Sequence, residues 1–265
     1  MRDAASALTL LVFMTAILLS LSCGSDESTG PGNGFVASEQ FYHGFGRGEH
    51  VLVSVLGVSG EVKITGVAGS DSIVVAGVKR VTSDNAEDAE EHLDSLQVTV
   101  TNVAGEVRAV TSQPGDSNGR QYEVEYDVSI PPDLPVDVSH VNGNVIISSV
   151  TRPVAAENVN GTVALDAINA SVSAAVTNGR IEGDITLPLE GRIDLYVVNG
   201  SIALDIPGDT SAEFMAEVTN GSVAIYGLVL FNRVATAVSE RGILGSGQGE
   251  IELVVVNGTI EVNGF

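Results

Sequence analysis

Apolar residues in the second half of this chain recur at fixed distances on both sides of an Asn-Gly dipeptide. With each turn glycine as position zero, −7 holds Val136, Val154, Val172, Ile193, Phe214, Ala235 and Ile251, and −5 holds Val138, Ala156, Ala174, Leu195, Ala216, Ala237 and Leu253. Past the turn, +2 holds Val145, Val163, Ile181, Ile202, Val223, Leu244 and Ile260, and +4 holds Ile147, Leu165, Gly183, Leu204, Ile225, Ser246 and Val262. Alternation with a period of two on both sides predicts two strands per signature, each with one buried face, and β-branched residues suit those slots.

The dipeptides are Asn142-Gly143, Asn160-Gly161, Asn178-Gly179, Asn199-Gly200, Asn220-Gly221 and Asn257-Gly258. Gly143 to Gly161 and Gly161 to Gly179 are 18-residue steps, Gly179 to Gly200 and Gly200 to Gly221 are 21-residue steps, and Arg241-Gly242 fills the next slot. A period near 20 residues predicts a solenoid or a meander. Two-residue type I′ hairpins would also bring the apolar set together. In a parallel solenoid each Asn-Gly is a corner where glycine takes a left-handed conformation without steric cost. Equal offsets for strands, turn and apolar set favour the all-β parallel solenoid, with coils of about 18–21 residues. Stacked asparagines could then donate and accept along a ladder of amides.

The same frame extends upstream, at Ser59-Gly60 with Val53, Val55, Val62 and Ile64, and at Ala104-Gly105 with Val98, Val100 and Val107. Two interruptions fall in this half. A helix is expected at about 84–96, capped by Ser83, acidic in its first turns and striped by Ala86, Ala89, Leu93 and Leu96, lying on the sheet as a cover. A polar excursion follows over residues 113–119.

The amino terminus carries an address. Arg2 precedes an apolar run over residues 8–19, too short and too early for a mature membrane span, so residues 1–22 read as an export signal. Cys23 is the only cysteine of the 265 residues and follows a small residue at the end of that run. The segment resembles the lipobox of bacterial lipoproteins, although Ser20 stands where the pattern has leucine and Leu19 lies one place further back. The resemblance implies cleavage before Cys23 and a lipid on it, hence a membrane partner through that lipid. Gly24 after the cysteine implies outer-membrane sorting if the source has two membranes. Residues 23–34 are a flexible tether, and residues 35–265 form the folded domain.

Charge narrows the partners. Lysine and arginine total 12 against 34 acidic residues, a formal charge of −22, so the surface repels nucleic acid and anionic lipid headgroups. With one cysteine, packing and hydrogen bonds alone must hold the fold.

The order Leu56-Gly57-Val58-Ser59-Gly60-Glu61-Val62-Lys63-Ile64, the helix around Glu87–Leu93, then Tyr126-Asp127-Val128-Ser129-Ile130-Pro131 leading into Val136–Gly143 and repeated Asn-Gly strands is similar to the bacterial putative-adhesin domain family. The similarity spans about residues 35–265. It implies a right-handed parallel β-solenoid and a cell-envelope location, and it brings no catalytic or binding residues with it.

Chemistry is sparse. Polysaccharide-active β-helix enzymes need clustered carboxylates and aromatic platforms. This chain has no Trp, and Tyr196 and Tyr226 are the only aromatic candidates of that kind in the repeats. Asp166, Asp184, Asp194 and Asp205 read as scattered carboxylates on different sides of their turns, paired at no fixed offset. His43, Glu49 and His50 are the densest titratable group, but they lack helical spacing and further ligands, so residues 42–50 read as a surface loop before the first strand. The Asn-Gly-Ser/Thr sequons are turn chemistry. No catalytic residues, metal or cofactor are expected. The sequence thus points to a non-enzymatic envelope lipoprotein presenting a binding, adhesion or scaffold surface to an envelope protein or an extracellular glycan. The alternatives are a polysaccharide-active β-helix enzyme and an envelope-stress or signalling scaffold that docks another protein.

Overall fold

The structure, a computed structural model, describes residues 34–265. The signal segment 1–22, Cys23 and tether residues 23–33 lie outside the described residues. Among the described residues the chain is nearly all β, with sixteen strands in one mixed, open sheet and a single helix.

The centre of the sheet is a stack of parallel coils. In the first, β8 (Val136–Asn142) and β9 (Val145–Ser148) are separate arms. In the next three, both arms run through the Asn-Gly corner as one bent strand: β10 (Val154–Ile168), β11 (Val172–Ile185) and β12 (Arg192–Ile206). Asparagine faces asparagine and glycine faces glycine, as in Asn160↔Asn178 and Gly161↔Gly179, then Asn178↔Asn199 and Gly179↔Gly200. The alternating apolar set fills the interior: Val154, Ala156, Val163 and Leu165 are at most 2% exposed. One additional inward column, at −3, holds His140, Asn158, Val176 and Val197.

Glycine is required at these corners twice over. The six corner glycines have φ between +130° and +151°, beyond the αL region expected for a corner and in territory that side chains rarely enter. A Cβ on Gly161 would also sit on the carbonyl oxygen of Gly143, one on Gly179 on that of Gly161, and one on Gly200 on that of Gly179. Beside this column the asparagine amides form a continuous chain. Asn160 Nδ2 donates to Asn142 Oδ1 at 2.8 Å, Asn178 to Asn160 at 3.0 Å, Asn199 to Asn178 at 2.9 Å, Asn257 to Asn199 at 2.9 Å and Asn220 to Asn257 at 2.9 Å.

That chain reveals an unexpected strand order. β16 (Gly249–Gly264) lies between β12 and β13 (Ala212–Tyr226), parallel to both. Arg241-Gly242 does not occupy the next slot. Gly242 belongs to β15 (Ser239–Leu244), which runs antiparallel on the far side of β13 and pairs Gly242 with Phe214. β14 (Phe231–Ala235) is antiparallel beyond it, and Ala235 and Ala237 are exposed rather than inward. Arg241 offers no amide to the ladder, whereas Asn257 both donates and accepts.

The other end is threaded in a related way. β2 (Leu52–Leu56) and β3 (Val62–Gly66) flank Ser59-Gly60 and pair with β8 and β9 in the expected frame, Val53↔Val136 and Val62↔Val145. On their outer side lie β6 (Glu106–Ser112) and β7 (Gln121–Ile130), so an earlier coil sits between two later ones. Ala104-Gly105 is no corner. It is the two-residue turn of a hairpin between β5 (Gln97–Val103) and β6, with φ of +53° and +83° as a type I′ turn requires. β1 (Phe35–Gly46) and β4 (Ser72–Ser83) are antiparallel to each other, and β4 is antiparallel to β7. The expectation of parallel pairing throughout is therefore corrected: the centre is parallel and both ends turn antiparallel.

Residues 42–46, expected in a loop, belong to β1, because they pair in register with β4 from Tyr42↔Ala76 to Gly46↔Ser72; just before them Phe41 packs edge-on against Tyr126 with ring centres 5.5 Å apart. The Tyr126 hydroxyl meets Thr111 at 2.7 Å, and burial pushes it up to about 12. The covering helix α1 (Ala86–Leu93) is shorter than expected and packs on β1 and β4, with Ala89 and nearby Leu96 buried. Its cap is Asn85, whose side chain accepts from the Asp88 N–H at 2.8 Å, while Ser83 instead donates to the Asp88 carboxylate. Arg120, from the end of the polar excursion, grips the same carboxylate at 2.7 and 2.6 Å. Arg120 first and Ser83 second hold Asp88 well below the usual carboxylate range.

Corner chemistry predicts an order of damage. Gly200→Ala should lower stability by about 2–4 kcal/mol, since strain at positive φ adds to a collision with backbone that cannot move aside alone. Asn199→Ala should cost about 1 kcal/mol, one net hydrogen bond. Glu190 sits at φ +61°, so Glu190→Gly should gain about 0.5–1 kcal/mol. Urea midpoints of the three variants test the ranking, and a Gly200→Ala protein as stable as its parent would contradict the close approach of the coils.

Candidate functional site

If −7, −5 and −3 point inward, −6, −4 and −2 point outward, and these positions build the broad face of β8, β10, β11 and β12. Small residues keep part of it low: Ser139, Ala155, Ser173 and Ala175 stand between taller neighbours. Two hollows result on this face. One of about 480 Å³ lies over the strand starts, lined by Pro135, Asp137, Pro153, Ala155, Ser173 and Arg192 among others. A smaller one of about 240 Å³ lies nearer the corners, between Ser139, Glu157, Ala175, Thr177 and Tyr196.

β12 forms the raised margin. Tyr196 is 41% exposed, with its ring available as an apolar platform and its hydroxyl as a polar tip. Arg192 reaches across to β16, pairing with Glu250 and, at 2.5 Å, with Glu252, and touches Asp194 at 3.4 Å. Glu250 foremost holds this guanidinium more basic than usual. Both terminal nitrogens of its guanidinium are engaged, so Arg192 braces the margin. The face therefore suits contact through shape, Val and Ala surface, hydroxyls, the carboxylates of Asp137 and Glu157, and one tyrosine ring.

Beneath the face, at the N-terminal side of the stack, lie two buried polar side chains. His140 Nε2 donates toward Gly60 O at 3.0 Å and Asn142 O at 2.9 Å, and Asn158 Nδ2 donates to Gly143 O at 2.8 Å. Each thus binds the corner carbonyl of the preceding coil. Among the described residues His140 Nδ1 and Asn158 Oδ1 have no hydrogen-bond partner. Burial pushes the imidazole below its ordinary range, partly countered by the backbone carbonyls.

The corner residues Asn142, Asn160, Asn178, Asn199, Asn220 and Asn257 lie along one edge of the stack, bonded to one another, with their glycines beside them. Cys23 is outside the described residues. His43 lies in β1, while His50 Nδ1 contacts Arg47 O at 2.5 Å and Arg47 pairs with Asp133. No group of three or more His, Cys, Asp or Glu able to hold a metal occurs among the described residues.

One arrangement escaped the sequence reading. Asp166, Asp184 and Asp205 all stand at +5 from their corner glycines, and Asp184 and Asp205 are register partners on adjacent strands. The reading of these carboxylates as unpaired at any fixed offset is therefore corrected. The signal was present in the spacing itself, since Gly161, Gly179 and Gly200 each precede an aspartate by five residues. On the opposite side of Asp205, Asn263 Nδ2 donates to its Oδ1 at 2.9 Å, so the column changes from repulsive to bonded where asparagine replaces aspartate.

Two outcomes follow from these columns. Asp184→Asn should raise stability by about 0.5–1 kcal/mol by removing a like-charge pair and adding a donor toward Asp205, with a larger gain at low salt. Urea midpoints at two ionic strengths test it, and a loss of stability would refute the repulsion. For His140, a folded-state pKa below the ordinary 6.5 means that the unfolded chain binds the proton more readily. Its contribution is complete above about pH 6.5 and is lost as pH falls toward the depressed folded value. His140→Val, which installs the residue found at this position two and three coils further on, at Val176 and Val197, should flatten the stability profile between pH 7 and 5; an unchanged slope would exclude His140 as its source.

No protein-family model and no curated protein sequence matches this chain. Solved structures do. A putative cell adhesion protein from Clostridium sporogenes ATCC 15579 is 13% identical, with a TM-score of 0.52 over 86% of this chain and 100% of that one. Putative adhesins from Bacteroides fragilis NCTC 9343 and Parabacteroides distasonis ATCC 8503 are 12% and 10% identical, covering 86% and 87% of this chain and 97% and 98% of theirs. Their TM-scores of 0.29 and 0.22 carry no argument. The Clostridium structure shares its fold with this chain, and its designation agrees with the putative-adhesin resemblance carried by the sequence motifs.

Proposed function

We propose that this chain is a non-enzymatic lipoprotein of the bacterial cell envelope, presenting its stacked coils, read as a right-handed β-solenoid, as a surface for adhesion or scaffolding. The observation that carries the reading is the broad, low outward face of β8, β10, β11 and β12, with Tyr196 at its margin. Such a face fits an extended envelope partner better than a small substrate, because its hollows are open and span several coils. An extracellular glycan is the favoured ligand, since a tyrosine ring beside hydroxyl and carboxylate groups can stack on a sugar and bond its hydroxyls. An envelope protein is the second candidate. The designation of the Clostridium structure as a putative cell adhesion protein supports the reading. Anchorage rests on Cys23 and the preceding apolar run, with the outer membrane as the destination in a two-membrane source. Among the described residues no helix is long and apolar enough to cross a membrane.

The test has two arms. Cys23→Ser should move the protein out of the membrane fraction or leave an uncleaved precursor, and normal membrane partition after cleavage would sink the lipid anchor. Immobilised envelope polysaccharide should retain the parent protein about tenfold better than Ala175→Arg, which fills the low part of the face at a loss of ~1.4 kcal/mol. Equal retention would remove this face as the binding surface, and release of new reducing ends would replace the reading with the polysaccharide-active enzyme.

A further inference from the structure

β16 is a later strand inserted between two earlier ones. Its register runs from Arg192↔Glu250 to Ile206↔Gly264 on one side and from Ala212↔Gly249 to Tyr226↔Asn263 on the other. Ile251, Leu253, Val255, Ile260 and Val262, all at most 1% exposed, supply one layer of the core. β12 and β13 cannot bond to each other while this layer is in place, because they stand two strand spacings apart, about 10 Å. Their slot must stay open, or reopen, until residues 249–264 arrive.

One short turn, with hydrogen bonds centred on Ser211 and Ser246, holds the chain to this particular return. The connection from β15 is Gly245-Ser246-Gly247-Gln248, with φ of +55° at Gly245 and +73° at Gly247. It folds around one residue of the β12–β13 link: the N–H groups of Ser246 and Gln248 donate to Ser211 Oγ at 3.1 and 3.3 Å, and Gly249 N donates to Ser211 O at 2.9 Å. The other polar contacts of β16 are with the flanking strands, through the ladder at Asn257, the Asn263 bond to Asp205 and the ion pairs of Glu250 and Glu252 with Arg192, and with the turn before β12, where Glu250 N donates to Gly191 O at 3.0 Å. None of those depends on which molecule supplies the strand.

We infer that β16 is an exchangeable strand: the slot between β12 and β13 accepts β16 from a second copy of this chain, giving a reciprocal strand-exchanged dimer. Exchange of identical elements recreates each contact of the closed molecule and changes only the connection over residues 245–248. Self-association of this kind would multiply the copies of the outward face, and it holds whether or not that face binds glycan.

The experiment uses the full chain carrying Cys23→Ser, so that introduced cysteines are the only ones. Ser201 and Thr259 are register partners on β12 and β16, and neighbouring strands bring Cα atoms within disulfide reach. A chain with both Ser201→Cys and Thr259→Cys should close within itself, establishing the register. Chains carrying one substitution each are then mixed, unfolded in urea and refolded together under mild oxidation. A cross-linked heterodimer is expected, with its ratio to monomer rising about tenfold for a tenfold rise in protein concentration. Deleting Ser246–Gln248, which removes the return turn, should make the dimer the main species. The inference is overturned if the double variant cross-links while the refolded mixture yields monomer alone at every concentration. It is equally overturned if the double variant fails to close, since β12 and β16 would then not be neighbours.

Discussion

The stack depends on how closely its corners approach. At each Asn-Gly, the α-carbon of one glycine lies under the carbonyl oxygen of the glycine before it, a continuous column from Gly60 through Gly143, Gly161, Gly179, Gly200 and Gly258 to Gly221. No side chain fits there, and the positive φ bends both arms of the coil the same way. The bend is what allows one long strand to present two inward faces to a common interior. Once the corner is set, apolar residues at −7, −5, +2 and +4 arrive inside without further instruction, and the asparagines fall into line to bond one another at the edge.

The same uniformity leaves strand order weakly encoded. Any coil with this corner and these offsets fits beside any other, so neighbours in sequence need not be neighbours in the stack. At one end a late strand, β16, enters between β12 and β13; at the other an early pair, β2 and β3, is overlaid by β6 and β7. The antiparallel strands then close the interior where the stack would otherwise expose apolar edges. At the N-terminal end α1, fastened by Asp88 and Arg120, adds a cover; at the C-terminal end β15 does so, tied to the exposed β14 by the Arg233 pair with buried Glu240 at 2.9 and 2.7 Å.

The outward face follows from what the interior leaves unspecified. Outward positions carry small residues in the middle coils and Tyr196 and Arg192 at the margin, so the relief of the surface is written in side-chain size alone. A surface of this sort works by area and shape. The carboxylate column at Asp184 and Asp205 belongs to a different edge and acts on stability.

Local chemistry was fully present in the sequence. Period-two alternation, the Asn-Gly corners, the central coil length and the existence of a covering helix follow from residues interacting with near neighbours or with their counterparts one period away. The aspartate column at +5 was equally legible in the spacing. What required the tertiary structure was every choice among equivalent partners. Arg241-Gly242 keeps the period but lacks the ladder amide, so it yields the inner slot to Asn257-Gly258, sixteen residues and one reversal later in the chain. Ala104-Gly105 has the offsets of a corner but the dihedral angles of a hairpin, because β5 pairs with the strand that follows it. The low face of Ala155, Ser173 and Ala175 likewise emerges only when separate coils are laid side by side. Periodicity specifies what each strand can pair with; the order of pairing is decided by which complete set of strands buries the interior and satisfies its ends.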